Sequence, residues 1–249
     1  MSICINTSFN KKESLNKTIS FIKEVLQINS IELTTDARAH GYQMLFSSKE
    51  IKSLGIHIEI MSGGWCDFIR NETSMLLPQI SLMKQLGTNK IRLFISNPHL
   101  PAETNIITFK KANSLIKKYA RLYPDIYFLF ENHGGLTANG LLTRHLMEEV
   151  DMFNIGLVYD PSNYIASGAN PLEALGLTFK YIKHVHVKDI NQNKEFCSVG
   201  EGITPWKKII ETLKLNDYNG VYSIEYEGKE NPKLGIQKSL NNFRNLINE

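Results

Sequence analysis

Four apolar runs in the second half of the chain each close on a residue type that binds metals. They are Ile126-Tyr-Phe-Leu-Phe-Glu131, Ile155-Gly-Leu-Val-Tyr-Asp160, His184-Val-His186 with Val187, and Val221-Tyr-Ser-Ile-Glu225. An acidic residue or histidine is a costly end for a buried strand unless something charged receives it. Spaced 29, 26 and 39 residues apart, Glu131, Asp160, His186 and Glu225 cannot form one local metal loop. They converge only if four strands run parallel and stop at a common rim.

The rest of the chain supplies the frame for such a rim. β-Rich runs at 3–7, 29–34, 55–61, 90–96, 126–131, 155–160, 183–188 and 221–226 start every 26 to 38 residues, about the length of one βα unit. Segments of helical period lie between them. Leu15, Ile19, Ile22 and Leu26 share one face, as do Phe109, Ala112, Ile116 and Tyr119. The same stepping recurs at Trp206, Ile209, Ile210 and Leu213, and at Ile236, Leu240, Phe243 and Ile247. Eight strands, eight helical segments and a final helix predict an α/β chain folded as a (β/α)8 TIM barrel. The competing doubly wound sheet usually carries a glycine-rich turn after its first strand, whereas Asn6-Thr-Ser-Phe-Asn10 has no glycine. No linker or composition shift appears, so residues 1–249 are read as one domain, a common barrel length. Residues 62–73, with Gly63-Gly64-Trp65, read as loop rather than helix.

Composition narrows the function classes. A formal charge of +3 with dispersed Lys pairs does not predict a nucleic-acid partner. No run approaches the roughly 18 apolar residues of a membrane span, and the first residues show no basic-then-apolar leader pattern. Cys4, Cys66 and Cys197 match no zinc or disulfide spacing and read as reduced packing residues. The expectation is a cytoplasmic enzyme with a small-molecule substrate, with a homodimer left open.

The barrel rim is where the chemistry of such a fold collects. Three carboxylates and one imidazole at Glu131, Asp160, His186 and Glu225 suit one divalent ion, manganese or magnesium first, cobalt or zinc next. Such an ion would act as Lewis acid and template, and a carboxylate beside it could serve as general base. Lys188 shares a strand face with His184 and His186; it reads as a rim lysine able to hold an enolate oxygen, with a solvated strand end as the plain alternative. His184 lies deeper and reads as a packed or supporting histidine. His133 points with Glu131 toward substrate, and Asp189 reads as opening the loop or holding Lys188. Trp65 reads as a pocket wall, and Glu201 as a polar contact in Gly200-Glu-Gly202. Thr204-Pro205 after it reads as a cap and helix-opening proline.

Taken in order, Glu131-Asn-His-Gly-Gly135, Asp160-Pro-Ser-Asn163 with Ser167-Gly168, His184-Val-His-Val-Lys-Asp189, Gly200-Glu-Gly202 and Glu225 resemble the sugar phosphate isomerase/epimerase superfamily, the xylose isomerase-like barrels. The resemblance implies metal ligands at Glu131, Asp160, His186 and Glu225. It also implies a metal-dependent isomerase or epimerase acting on a small sugar or keto-polyol. Its shared step removes a proton alpha to a carbonyl and gives a metal-stabilised enediolate. Dehydratases of inosose or 3-dehydroshikimate share the ligands and form the alternative. Where ketose 3-epimerases carry a second Glu, a His and an Arg, this chain has Thr137, Asn163 and Gln192. Arg92, His133 and Lys188 fall where 3-dehydroshikimate dehydratases carry substrate-binding and catalytic groups. Candidate catalytic residues are therefore Glu131, Glu225, Lys188 and His133, with Arg92, Trp65, Asn163 and Glu201 on the substrate. A three-metal DNA repair nuclease of the same superfamily would need more rim histidines than His133, His184 and His186.

Overall fold

The computed structural model describes residues 2–35, 48–63, 66–96 and 106–248. Eight parallel strands close into a barrel in sequential order: β1 (Ser2–Asn6), β2 (Ser30–Thr34), β3 (His57–Ser62), β4 (Lys90–Leu93), β5 (Tyr127–Glu131), β6 (Ile155–Tyr159), β7 (Ile182–Val187) and β8 (Val221–Ile224). Closure comes from β1 against β8, with Ile5 beside Ile224. Helices fall between the strands where apolar residues recur at three and four. Leu15–Glu24 buries Leu15, Ile19 and Ile22 behind a Ser14 cap, and Trp206–Leu215 buries Trp206, Ile209, Ile210 and Leu213. Among the described residues of 62–73 there is no helix; helix resumes at Leu76–Leu86. Trp65 lies outside the described residues, so the pocket wall read from it has no structural counterpart here.

Two apolar regions follow from the period of two along each strand. Outward-facing strand residues and the helices form one large core. Ile60, Leu129 and Val158 form a second, small cluster, which is the floor of the lumen. One strand step nearer the C-terminal ends, on the same faces, stand Ser62, Glu131 and Asp160. The lumen therefore passes from apolar to polar toward the rim.

The strands are shorter at that rim than the apolar runs suggest. Asp160, Lys188 and Glu225 fall just past β6, β7 and β8, because the chain is already turning there. Asp160 is still extended and caps the helix Pro161–Ala166, where Oδ1 accepts from the amide of Asn163 at 2.9 Å. Capping and ligand-type chemistry are thus split between its two oxygens. A second correction concerns Thr204-Pro205. Pro205 sits one position before the helix, and no side chain caps it; the Thr204 hydroxyl instead lies 2.9 Å from that of Ser162.

A short hairpin, Asp189–Ile190 with Phe196–Cys197, follows β7 and has no counterpart in the sequence reading. Asp189 organises the loop behind it. Its carboxylate accepts the amides of Ile190 and Thr204 on Oδ1 and of Gly200 and Gly202 on Oδ2. A Cβ on Gly202 would meet that carboxylate at 2.2 Å, so only glycine fits there. Asp189 therefore opens the loop, as one of its two readings had it, and does not hold Lys188.

Candidate metal centre and active site

At the rim, Glu131, Asp160, His186 and Glu225 each offer one ligand atom, all within 4.8 Å of one another, and all four residues are buried. His186 is the hub. Its Nδ1 lies 3.2 Å from Glu131 Oε1, 3.2 Å from Glu225 Oε2 and 4.0 Å from Asp160 Oδ2. Glu131 ends β5 and Glu225 follows β8, strands separated by β6 and β7, and a carboxylate oxygen of each reaches this one ring nitrogen. Three of the four ligand atoms, His186 Nδ1, Asp160 Oδ2 and Glu225 Oε2, are buried without a hydrogen-bond partner among the described residues. Lys188 Nζ stands 3.1 and 3.3 Å from the two carboxylate oxygens. One lysine shared among so many buried acceptors, with three carboxylate oxygens crowding the ring nitrogen, still calls for an explanation. A divalent cation supplies one.

Electrostatics point the same way. Five carboxylates, Glu32, Glu131, Asp160, Glu225 and Glu227, surround two fixed cations, Arg92 and Lys188. A dication would bring that set to within one charge of neutrality. Burial pushes the Glu131 carboxyl up, but His186 and Arg92 outweigh it and lower its pKa to about 2. Glu225 is held well below the usual carboxylate range, Lys188 and His186 overcoming the effect of burial. Asp160 goes the other way, because burial dominates over the attraction of Lys188. His186 is raised well above an ordinary histidine; burial opposes this, and the charges of Glu32, Glu131 and Glu225 prevail. The same negative charges would attract a cation to this ring. The donor set, three oxygens and one nitrogen, fits an ion of intermediate hardness.

Around this cluster the structure places the other candidates unequally. Lys188 is buried, with Nζ 3.1 Å from Asp160 Oδ2, 3.3 Å from Glu225 Oε2 and 3.0 Å from Glu227 Oε2. The solvated strand-end alternative for it is overturned, because three carboxylates draw the ammonium inward. Arg92 Nε lies 3.3 Å from Glu131 Oε2, and its guanidinium carbon sits 4.6 Å from the Phe94 ring centroid. Asn163 donates to Glu131 Oε1 at 2.9 Å, so it first serves a ligand. His133 is half-buried, its ring against Phe94 at 5.0 Å. Glu201 does not reach the cluster. It is exposed and pairs with Lys238 on the final helix, because Gly200 and Gly202 turn the loop onto Asp189 and leave Glu201 outside. Thr137 serves its own turn, its hydroxyl accepting from the His133 amide and donating to the Gly134 carbonyl.

Several residues at this site carry no obvious sequence signal. Asn6 and Ser8, at the end of β1, both donate to Glu225 Oε1, at 3.1 and 3.2 Å. Asn132 fixes the start of the Asp160 segment by exchanging hydrogen bonds with its backbone. Glu227 supplies the third carboxylate to Lys188. Glu32, fully buried in β2, touches both His184 and His186. Glu32 is the exception among these residues, since an acidic residue between Ile31 and Leu33 in a buried strand is itself a signal.

A family model describing the xylose isomerase-like TIM barrel matches residues 57–246. An inosose dehydratase of Bacillus cereus (strain AH820) is 30% identical over 124 residues, which is 41% of this chain and 41% of the relative. The alignment thus spans well under half of that relative. Among solved structures, a probable 3-DHS dehydratase, AsbF of Bacillus anthracis, superposes with a TM-score of 0.80 at 20% identity, covering 98% of this chain and 99% of that one. The IOLI protein with a bound zinc atom gives 0.79 at 18% identity, covering 99% and 98%. At these identities the structural likeness speaks to the fold.

Proposed function

The chain belongs to the xylose isomerase-like TIM barrel family, and from that premise we propose that it is a divalent-metal-dependent enzyme that removes a proton alpha to the carbonyl of a small polyhydroxylated compound, a sugar or keto-polyol. The observation that carries this reading is the convergence of Glu131, Asp160, His186 and Glu225 within 4.8 Å at the rim. These four residues would hold the ion, with manganese or magnesium as first candidates. When bound, the metal supplies Lewis acidity and a template for the substrate's oxygens.

The protein's own groups do the rest. Glu131 and Glu225 are held in the ionised form by the cations around them, and each has a carboxylate oxygen 3.2 Å from His186 Nδ1. One takes the proton from carbon; the other, once it has drawn a proton from solvent, delivers that proton to carbon, which yields an isomer or epimer and lets solvent deuterium enter the product. Arg92 and Lys188 bring fixed positive charge to the oxygen that becomes negative, a contribution larger in the transition state than in the ground state. His133, half-buried at the opening, meets the substrate's hydroxyls.

A second reading, loss of a β-hydroxyl as water, is favoured by a specific observation. The matched relatives include an inosose dehydratase and a probable 3-DHS dehydratase, and the Glu and Arg of ketose 3-epimerases are replaced here by Thr137 and Gln192. Turnover of the metal-loaded protein in deuterated water, on a panel of ketoses, hydroxypyruvate, inosose and 3-dehydroshikimate, tests both. The expected result is deuterium beside the carbonyl of a product with no new ultraviolet absorbance. A conjugated or aromatic absorbing product selects dehydration. Failure to exchange or convert any member of the panel overturns the proposed chemistry.

A further inference from the structure

Glu32 belongs to no step above, yet it touches two histidines, a serine and an arginine of the site. Its Oε2 lies 2.9 Å from His186 Nε2 and 3.2 Å from His184 Nε2. Its Oε1 accepts the Ser62 hydroxyl and faces Arg92 Nε at 3.6 Å. Glu32 is itself wholly shielded from solvent, below the ligand cluster, so it does not touch a substrate. The β2–β3 register shifts between Ile31 and Glu32; such an irregularity re-aims a side chain. On the neighbouring strand Ser62 pairs with Arg92 of β4 and donates its hydroxyl to Glu32.

We propose that Glu32 is a positioning residue that fixes His186 with Nε2–H directed at its carboxylate and Nδ1 directed at the ion, and that ties Arg92 to the same anchor. This inference rests on the metal-dependent reading above. An imidazole bearing one proton has one donor and one acceptor nitrogen. With Oε2 accepting at Nε2, the bare lone pair is on Nδ1, the atom that faces Glu131, Glu225 and Asp160. A carboxylate behind a ligating histidine also strengthens the nitrogen's donation to the metal. His184, edge-on to His186 with ring centroids 5.7 Å apart, shares the same oxygen and keeps the His186 ring from rotating.

Glu32, His184 and His186 are also near enough to hold an ion of their own. Two features oppose that: Arg92 Nε stands 3.6 Å from Oε1, which already receives Ser62, and His186 would have to bridge two metals through a single ring.

The test compares zinc and manganese affinity of wild type and Glu32→Gln by chelator competition. Gln keeps an acceptor for Nε2–H but removes the charge. The expected change is a Kd weaker by about 10- to 100-fold, with one metal per chain in the wild type. A purely structural role would lower the melting temperature of chelator-treated Glu32→Gln and leave the Kd of the folded protein unchanged; that result overturns the inference. So does a wild-type stoichiometry of two that falls to one in the variant. Should Glu32→Gln not fold, the nitrogen-15 spectrum of histidines in zinc-loaded wild type decides: a proton on His186 Nε2 upholds the inference, and a proton on Nδ1 refutes it. Wild-type protein that binds no divalent metal sinks the metal-dependent reading itself, whereas equal affinities sink only the role of Glu32.

Discussion

Replacing Lys188 by methionine separates the lysine's structural work from its chemical work. Nζ stands about 3 Å from each of three carboxylates, the nearest at 3.0 and 3.1 Å, and at such distances each pair is worth about 5 kcal/mol before desolvation at an effective dielectric of 20. Burial of the ammonium offsets much of that attraction. The net cost of removing one partner from a buried pair is about 3–5 kcal/mol. In chelator-treated protein Lys188→Met should therefore melt roughly 10 °C lower, at about 2–4 °C per kcal/mol for a chain of this size. Asp160 and Glu225 would be left facing each other without their cation, and both would then favour a dication more strongly. Metal should accordingly restore more stability to the variant than to wild type, and its metal affinity should rise. Turnover should nonetheless fall about a hundredfold or more, comparable to losing one oxyanion donor. Thermal melts with and without metal, beside steady-state turnover, read all three quantities. Wild-type turnover with an unchanged chelated melting temperature would return Lys188 to the status of a solvated rim residue and refute the reasoning.

Two further outcomes follow from the ligand cluster. Glu131→Gln or Asp160→Asn should empty the site in elemental analysis, since a neutral amide binds hard cations poorly; full occupancy in a protein lacking all four ligand side chains would remove the constellation from the function. The pH dependence has a definite sign. Glu131 titrates at about 2 in the folded chain against an ordinary 4.5, so its contribution is present above about pH 4.5 and is lost as pH falls toward 2. Chelator-treated protein should therefore lose stability to denaturant across that window, and Glu131→Gln should flatten the loss; an equally steep loss in the variant would assign the acid sensitivity to other groups.

The strands were legible because a buried parallel strand writes its burial into a few consecutive residues. Ile126 to Glu131 and Ile155 to Asp160 needed no partner to be read, and their ends needed only the rule that a charge in an apolar run must be met. The helical faces at Leu15–Leu26 and Trp206–Leu213 were legible for the same local reason. Glu201 misled because a carboxylate between two glycines near the rim gives no sign of which way the loop turns. That direction is set by the four amides gathered on Asp189.

Glu32 stands 152 and 154 residues from the histidines that it holds. Its chemistry is invisible until the barrel closes and brings β2 across the lumen from β7. The sequence by itself determined the alternation of strands and helices, the parallel sense of the strands and the residue types that end β5 to β8, because each is encoded by local burial period and residue chemistry. Tertiary structure alone decided which atoms meet: that Asp160 divides its oxygens between a helix cap and the cluster, that Lys188 is drawn inward by three carboxylates, and that Glu32 stands behind His186. Those outcomes depend on distances across a closed lumen, and such distances are fixed by barrel closure and register rather than by neighbours along the chain.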